Sequence, residues 1–181
     1  MAVRLTLICQ GASAATRSGA FPADEGLDAA GLRAVTGMVG AVRRVDAAWT
    51  GPGRAARETA EALGVEVLVS ADLREIDYGT WAGRSTEELD PGEVVAWMGD
   101  PSAAPHGGES IAQAVARMEA WMMGLEEGRV LAVVPVSLAR AAVVIALGAP
   151  VGAFWRVDAA PLGRVVLSGL GARWNLQGLE R

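Results

Sequence analysis

Val130-Leu131-Ala132-Val133-Val134-Pro135-Val136-Ser137-Leu138-Ala139-Arg140-Ala141-Ala142-Val143-Val144-Ile145-Ala146-Leu147 is the stretch on which the fold class turns. The run Val130–Val134 is short, apolar and rich in β-branched residues, which predicts a buried strand. Pro135 interrupts it. The twelve residues from Val136 to Leu147 then predict a buried helix. Outward from this unit the pattern repeats. Val3–Cys9 reads as a buried strand that ends in the small-residue loop Gly11-Ala12-Ser13. Asp28 is a good N-cap for a helix running to about Val42. Val45–Trp49 reads as a strand, Gly51-Pro52-Gly53 as a turn, and Arg54–Leu63 as a helix stopped by Gly64. Val65–Val69 reads as a further strand. Ser110 and Gln113 have capping-box spacing and predict a helix over Ile111–Leu125, with Ile111, Val115, Met118 and Met122 packed in the core. Phe154–Val157 and Arg164–Leu167 read as closing strands. Strands alternating with helices predict an α/β fold with a largely parallel sheet. The stretch from Ser70 to Gly108 is less regular and reads as a cap-like insertion. The whole of 1–181 reads as one domain.

Composition narrows the function classes. Half of the 181 residues are hydrophobic (51%) and 20% are charged, which is a globular balance. Net charge is −5, and all 16 basic residues are arginines scattered along the chain. Without a basic stripe, no nucleic-acid partner is expected. The apolar runs at the N-terminus and at Ala141–Val151 are too short to span a bilayer, so no membrane partner is expected either. The single cysteine, Cys9, has no internal disulfide partner and fits a reducing, cytoplasmic setting. One histidine, His106, and one cysteine do not make a metal centre, and no cofactor is expected.

Chemistry in such a domain belongs on loops at the carboxyl ends of its strands. Four segments there are informative. Leu73-Arg74-Glu75-Ile76-Asp77-Tyr78-Gly79-Thr80-Trp81-Ala82-Gly83 and Pro105-His106-Gly107-Gly108-Glu109-Ser110 are the most specific. Gly51-Pro52-Gly53-Arg54-Ala55-Ala56-Arg57-Glu58-Thr59-Ala60 and Leu5-Thr6-Leu7-Ile8-Cys9-Gln10-Gly11 follow the second and first strands. Together with Val130–Arg140, and in this order, they resemble the histidine phosphatase (phosphoglycerate mutase-like) superfamily. The resemblance implies a three-layer α/β/α fold with a mostly parallel central sheet and a bacterial, cytoplasmic protein. It also implies a cleft in which Glu75 stands at the general-acid position. At the other catalytic positions the chain departs from the family. Cys9 falls on an arginine, Gln10 on the nucleophilic histidine, Ala55 on the second phosphate-binding arginine and Pro135 on the second histidine.

The chemical meaning of these departures is direct. An amide nitrogen such as that of Gln10 has a delocalised lone pair and is no nucleophile. Ala55 brings no charge to a phosphate. Pro135 has neither a titratable group nor a backbone N–H. The resemblance therefore implies a pseudophosphatase that acts by binding a ligand or a protein, and an active phosphatase or mutase is not expected. The alternatives are an enzyme of altered chemistry built on Glu75 with Cys9 or His106, and a residual phosphohydrolase. Gly11, Ser13, Arg17, His106 and Glu109 are the candidate ligand-binding residues, for a small-molecule or anionic ligand in the cleft. A homodimer is a further expectation.

Overall fold

Residues 2–38, 40 and 44–180 are described by the computed structural model. The strands are β1 (Val3–Cys9), β2 (Ala47–Thr50), β3 (Leu68–Val69), β4 (Gly128–Val134), β5 (Arg164–Leu170) and β6 (Arg173–Glu180). The helices are α1 (Ala14–Ser18), α2 (Ala29–Thr36), α3 (Arg54–Ala62), α4 (Pro91–Gly99), α5 (Ile111–Met123) and α6 (Val136–Leu147). The strands form one sheet in the order β3-β2-β4-β1-β5-β6. β1, β2, β3 and β4 are mutually parallel, while β5 and β6 close the sheet as an antiparallel pair beside β1. This is the mixed α/β architecture, mostly parallel at its centre, that the alternating pattern predicts.

Strand alternation divides the core in two. Leu5, Leu7 and Cys9 of β1 and Val130, Ala132 and Val134 of β4 face α5 and α6. Ile8, Leu131 and Val133 face Val35 of α2 and Ala56, Ala60 and Leu63 on the α3 side. The helical stripe Ile111, Val115, Met118 and Met122 is buried in the first of these cores. Each fully buried Leu, Ile or Val contributes roughly 1.5–3 kcal/mol relative to exposure, so both faces of β1 and β4 are strongly committed.

The observed elements correct several expectations. α2 ends at Gly37 rather than running on, and Val42 lies outside the described residues. The second and third strands are shorter than their apolar runs. β2 begins at Ala47, and β3 keeps only Leu68–Val69. Phe154 does not begin a strand, because Val151–Arg156 is a 3₁₀ turn that buries Phe154 below α6. β6 was not anticipated, although Trp174 and Leu176 pack on the core at the alternating spacing of a strand. The stretch from Ser70 to Gly108 is more ordered than a cap-like insertion implied. It carries three 3₁₀ turns (Ala71–Leu73, Gly79–Trp81 and Thr86–Glu88) and the whole of α4. Asp90 caps α4 through Glu93 N–H and Pro91 occupies its first turn, a start signal present in the sequence.

Candidate functional site

The site lies where the loops after β1, β2 and β4 meet. Cys9 of β1 pairs in register with Val134 of β4, so the two strands end side by side. Gln10 N–H donates to the Val134 carbonyl at 2.8 Å, which sets Gln10 beside Pro135. The following loop is fixed by Thr59. Gly11 N–H donates to Thr59 Oγ1 at 2.9 Å, and that hydroxyl donates to the Ala55 carbonyl at 2.6 Å. Thr59 thus ties the β1 loop to the first turn of α3. Gly51 admits the third segment. A Cβ there would stand 2.2 Å from the Leu73 carbonyl oxygen, so only glycine lets the Leu73–Glu75 backbone approach β2 so closely.

A cleft of about 370 Å³ results, lined by Gln10, Ser13, Ala55, Glu75, Tyr78 and Pro135 among others. Glu75 is fixed by two donors to its Oε1, the Ser137 hydroxyl and Ile76 N–H, the latter at 2.8 Å. Burial raises the Glu75 pKa above the ordinary carboxylate range, against the lowering effect of those two hydrogen bonds. The Tyr78 hydroxyl is pushed well up, by burial first and then by the nearby Glu75 charge. Ser137 was not anticipated. It stands in the first turn of α6, two residues after Pro135, a place the sequence already located at the strand end.

The charges around the cleft are chiefly negative. Asp24, Glu25, Glu75 and Asp77 line it, against Arg54 and Arg74. Both arginines are already engaged, Arg54 with Glu58 at 3.4 Å and Arg74 with Glu109 at 3.2 Å. The N-terminus of α3 is engaged too. Asp24, with a left-handed φ of 65°, accepts Arg54 N–H on its carboxylate at 2.8 Å. The positive end of the helix that would attract a bound anion is therefore occupied by the protein's own carboxylate.

Of the residues singled out from the sequence, Gln10, Ser13, Ala55, Glu75 and Pro135 line this cleft, and Gly11 lines an adjoining cavity. Four others do not. Cys9 points into the α5–α6 core with Leu5 and Leu7, because it shares their side of the strand, and burial pushes its thiol up to about 12. Arg17 is turned away and forms an ion pair with Asp28, the N-cap of α2. His106 is neither at the rim nor in solvent. It is buried among Tyr78, Trp81 and Trp97, its Nδ1 accepts Gly108 N–H at 3.0 Å, and burial lowers its pKa. Glu109 is buried beneath Arg117, which reaches both its oxygens at 2.7 Å. Among the described residues, no group of three or more His, Cys, Asp or Glu side chains is placed to hold a metal ion. No helix among them is long and apolar enough to cross a membrane.

Comparison with known proteins agrees with this geometry. The chain is 32% identical over 146 residues to the bifunctional protein Rv2228c of Mycobacterium tuberculosis, a match covering 73% of this chain and 40% of that one. It thus spans about two-fifths of the length of the curated relatives it matches over most of its own length. The native structure of mycobacterial glucosyl-3-phosphoglycerate phosphatase Rv2419c superposes with a TM-score of 0.83 at 25% identity, covering 98% of both chains. A phosphoserine phosphatase mutant from Entamoeba histolytica, in complex with phosphoserine, superposes with a TM-score of 0.89, covering 98% of this chain and 96% of that one. At 18% identity it is similar in fold alone. The model of the histidine phosphatase superfamily (branch 1) matches residues 5–181, and the chain belongs to that superfamily.

Proposed function

We propose that this chain is a non-catalytic member of its superfamily, one that binds a small molecule in the cleft instead of hydrolysing a phosphate ester. The observation that carries this reading is the pairing of Gln10 with Pro135 at the adjoining ends of β1 and β4. Those are the two positions at which a phosphoryl transfer through histidine needs its titratable side chains, and neither residue can accept a phosphoryl group or a proton. Loss of a nucleophile in comparable systems costs on the order of 10⁴–10⁶ in rate.

The electrostatics favour the same reading. Four carboxyl groups line the cleft, its two arginines are spoken for by Glu58 and Glu109, and Asp24 sits on the α3 N-terminus. Each charge-assisted hydrogen bond missing toward a phosphate removes roughly 1.5–3 kcal/mol of binding. A proton relay from Glu75 to Cys9 or His106 has no support, since both are buried away from the cleft. The test is direct. Purified protein is assayed with p-nitrophenyl phosphate beside its Glu75→Gln variant, and both are expected at the background rate. Turnover well above background that Glu75→Gln abolishes would sink the proposal.

A further inference from the structure

A second cavity, of about 300 Å³, adjoins the first on the far side of Glu75. It lies between the β1 loop, α4, the first turns of α6 and the Val151–Arg156 turn. Its walls are largely apolar and aromatic, with Tyr78, Trp97, Val136, Phe154 and Trp155 prominent. Its unfilled hydrogen-bonding capacity has one sign. Arg140 Nε, Trp97 Nε1 and Trp155 Nε1 are all buried and all lack an acceptor. Trp97 is only 6% exposed, so bulk water does not serve it. Among the described residues no carboxylate forms an ion pair with Arg140, whose guanidinium lies 5.9 Å from the centroid of the Phe154 ring. Val136 and Ser137, at the start of the twelve-residue α6, add two N–H groups without intrahelical acceptors. Buried donors and buried cations are ordinarily paired, so a cluster of donors around a cavity marks the place of an acceptor from outside the chain.

We infer that this cavity binds a small organic monocarboxylate. The carboxylate meets Arg140, the indole N–H groups and the open turn of α6. Its apolar or aromatic body lies against Trp97, Phe154 and Trp155. The carboxylate class follows from charge and shape. One guanidinium fork matches one planar carboxylate, whereas a phosphate dianion would face a single cation with Glu75 alongside. The volume is at the lower end of ordinary ligand pockets, roughly 300–1,000 Å³, which suits a single-ring acid. The inference rests on the reading of this region as a binding cleft rather than a phosphatase centre.

The experiment titrates the full chain with benzoate, with benzamide and with inorganic phosphate, following the indole N–H resonances by NMR and the affinity by calorimetry. Benzoate is expected to shift the Trp97 and Trp155 indole signals and to bind at least tenfold more tightly than benzamide or phosphate. Arg140→Met is expected to weaken benzoate roughly tenfold to a hundredfold, and Arg54→Met, on the other cleft, to leave it unchanged. Benzoate that binds no better than benzamide, or that leaves both indoles unmoved, overturns the inference even if Arg140→Met fails to fold. So does phosphate binding more tightly than benzoate. These outcomes are separate from the phosphatase assay. Failed benzoate binding leaves the non-catalytic reading standing, and p-nitrophenyl phosphate turnover defeats that reading whatever benzoate does.

Discussion

Glu75 shows how a single side chain can be well held and still cost stability. Ser137 and Ile76 both donate to one of its oxygens, yet burial dominates and its pKa is raised. A carboxyl group with a raised folded pKa binds more protons in the folded state than in the unfolded one. Its contribution is therefore favourable at low pH and is lost as pH rises from the unfolded value of about 4.3 through the raised folded value. Glu75→Gln keeps an oxygen for both donors and removes the titration. The difference in Tm between Glu75→Gln and the parent protein is expected to grow in favour of the variant between pH 4 and pH 8. A difference that is flat or shrinks over this range, measured by calorimetry, would show that Glu75 is not desolvated. Cys9 makes the opposite kind of residue-scale statement. With its thiol at about 12 and no exposed surface, the thiolate fraction at pH 8 is on the order of one in 10⁴. Native protein is expected to resist iodoacetamide at pH 8 and to label fully once urea unfolds it. Rapid stoichiometric labelling of the native chain would put Cys9 back in the cleft.

At the scale of elements, the two most specific sequence segments prove to be one structure. Thr80 N–H donates to the His106 carbonyl at 3.0 Å and Glu109 N–H to the Asp77 carbonyl at 2.7 Å, so the Glu75–Gly83 and Pro105–Ser110 segments are laced together. Their glycines allow it. A Cβ on Gly79 would stand 2.1 Å from the His106 carbonyl oxygen, and one on Gly108 would stand 2.1 Å from that of Asp77. Gly79→Ala is expected to cost about 2–4 kcal/mol, from the left-handed strain together with the forced separation of the two segments. Gly107→Ala, equally left-handed at φ 72° but with open space around it, is expected to cost only about 1 kcal/mol. Equal losses in urea denaturation would refute the close-approach argument. What the sequence could and could not reveal follows the same physics. β1, β4, α3, α5 and α6 were legible because burial on a fixed face imposes a period on the chain. The positions of Gln10, Ala55, Glu75 and Pro135 on the cleft were legible because strand ends and turn residues locate them. Phe154-Trp155-Arg156-Val157 misled because an aromatic run looks strand-like in isolation, whereas packing against α6 makes it a 3₁₀ turn. His106 and Glu109 misled because a loop segment does not reveal whether its polar side chains are turned outward or buried against a partner. Arg117, the partner of Glu109, lies eight residues further on.

At the scale of the whole molecule, the scaffold that positions a phosphatase centre is intact while the side chains at its focus are changed. That separation can be tested by reversal. Cys9→Arg, Gln10→His, Ala55→Arg and Pro135→His together replace the cation pair and the histidine pair that the family resemblance assigns to these positions. Pro135→His also returns a backbone N–H at the start of α6. The residues act as a unit, since a nucleophile without phosphate-binding cations meets no substrate and cations without a nucleophile only bind it. The single Gln10→His variant is therefore expected to stay at background with p-nitrophenyl phosphate, and the fourfold variant to exceed it at least a hundredfold. Two features of this chain work against the reversal. An arginine at position 9 starts from a Cα whose side chain is directed into the α5–α6 core, and Asp24 holds the α3 N-terminus where a phosphate would draw on it. Adding Asp24→Asn should lower KM for the aryl phosphate further by removing a carboxylate from that end. If the fourfold chain does not fold by circular dichroism, the threefold chain that keeps Cys9 carries the same test. A folded variant with both histidines and the arginine at position 55 in place, yet no faster than Gln10→His alone, would mean that Gln10, Ala55 and Pro135 do not surround the reacting phosphorus.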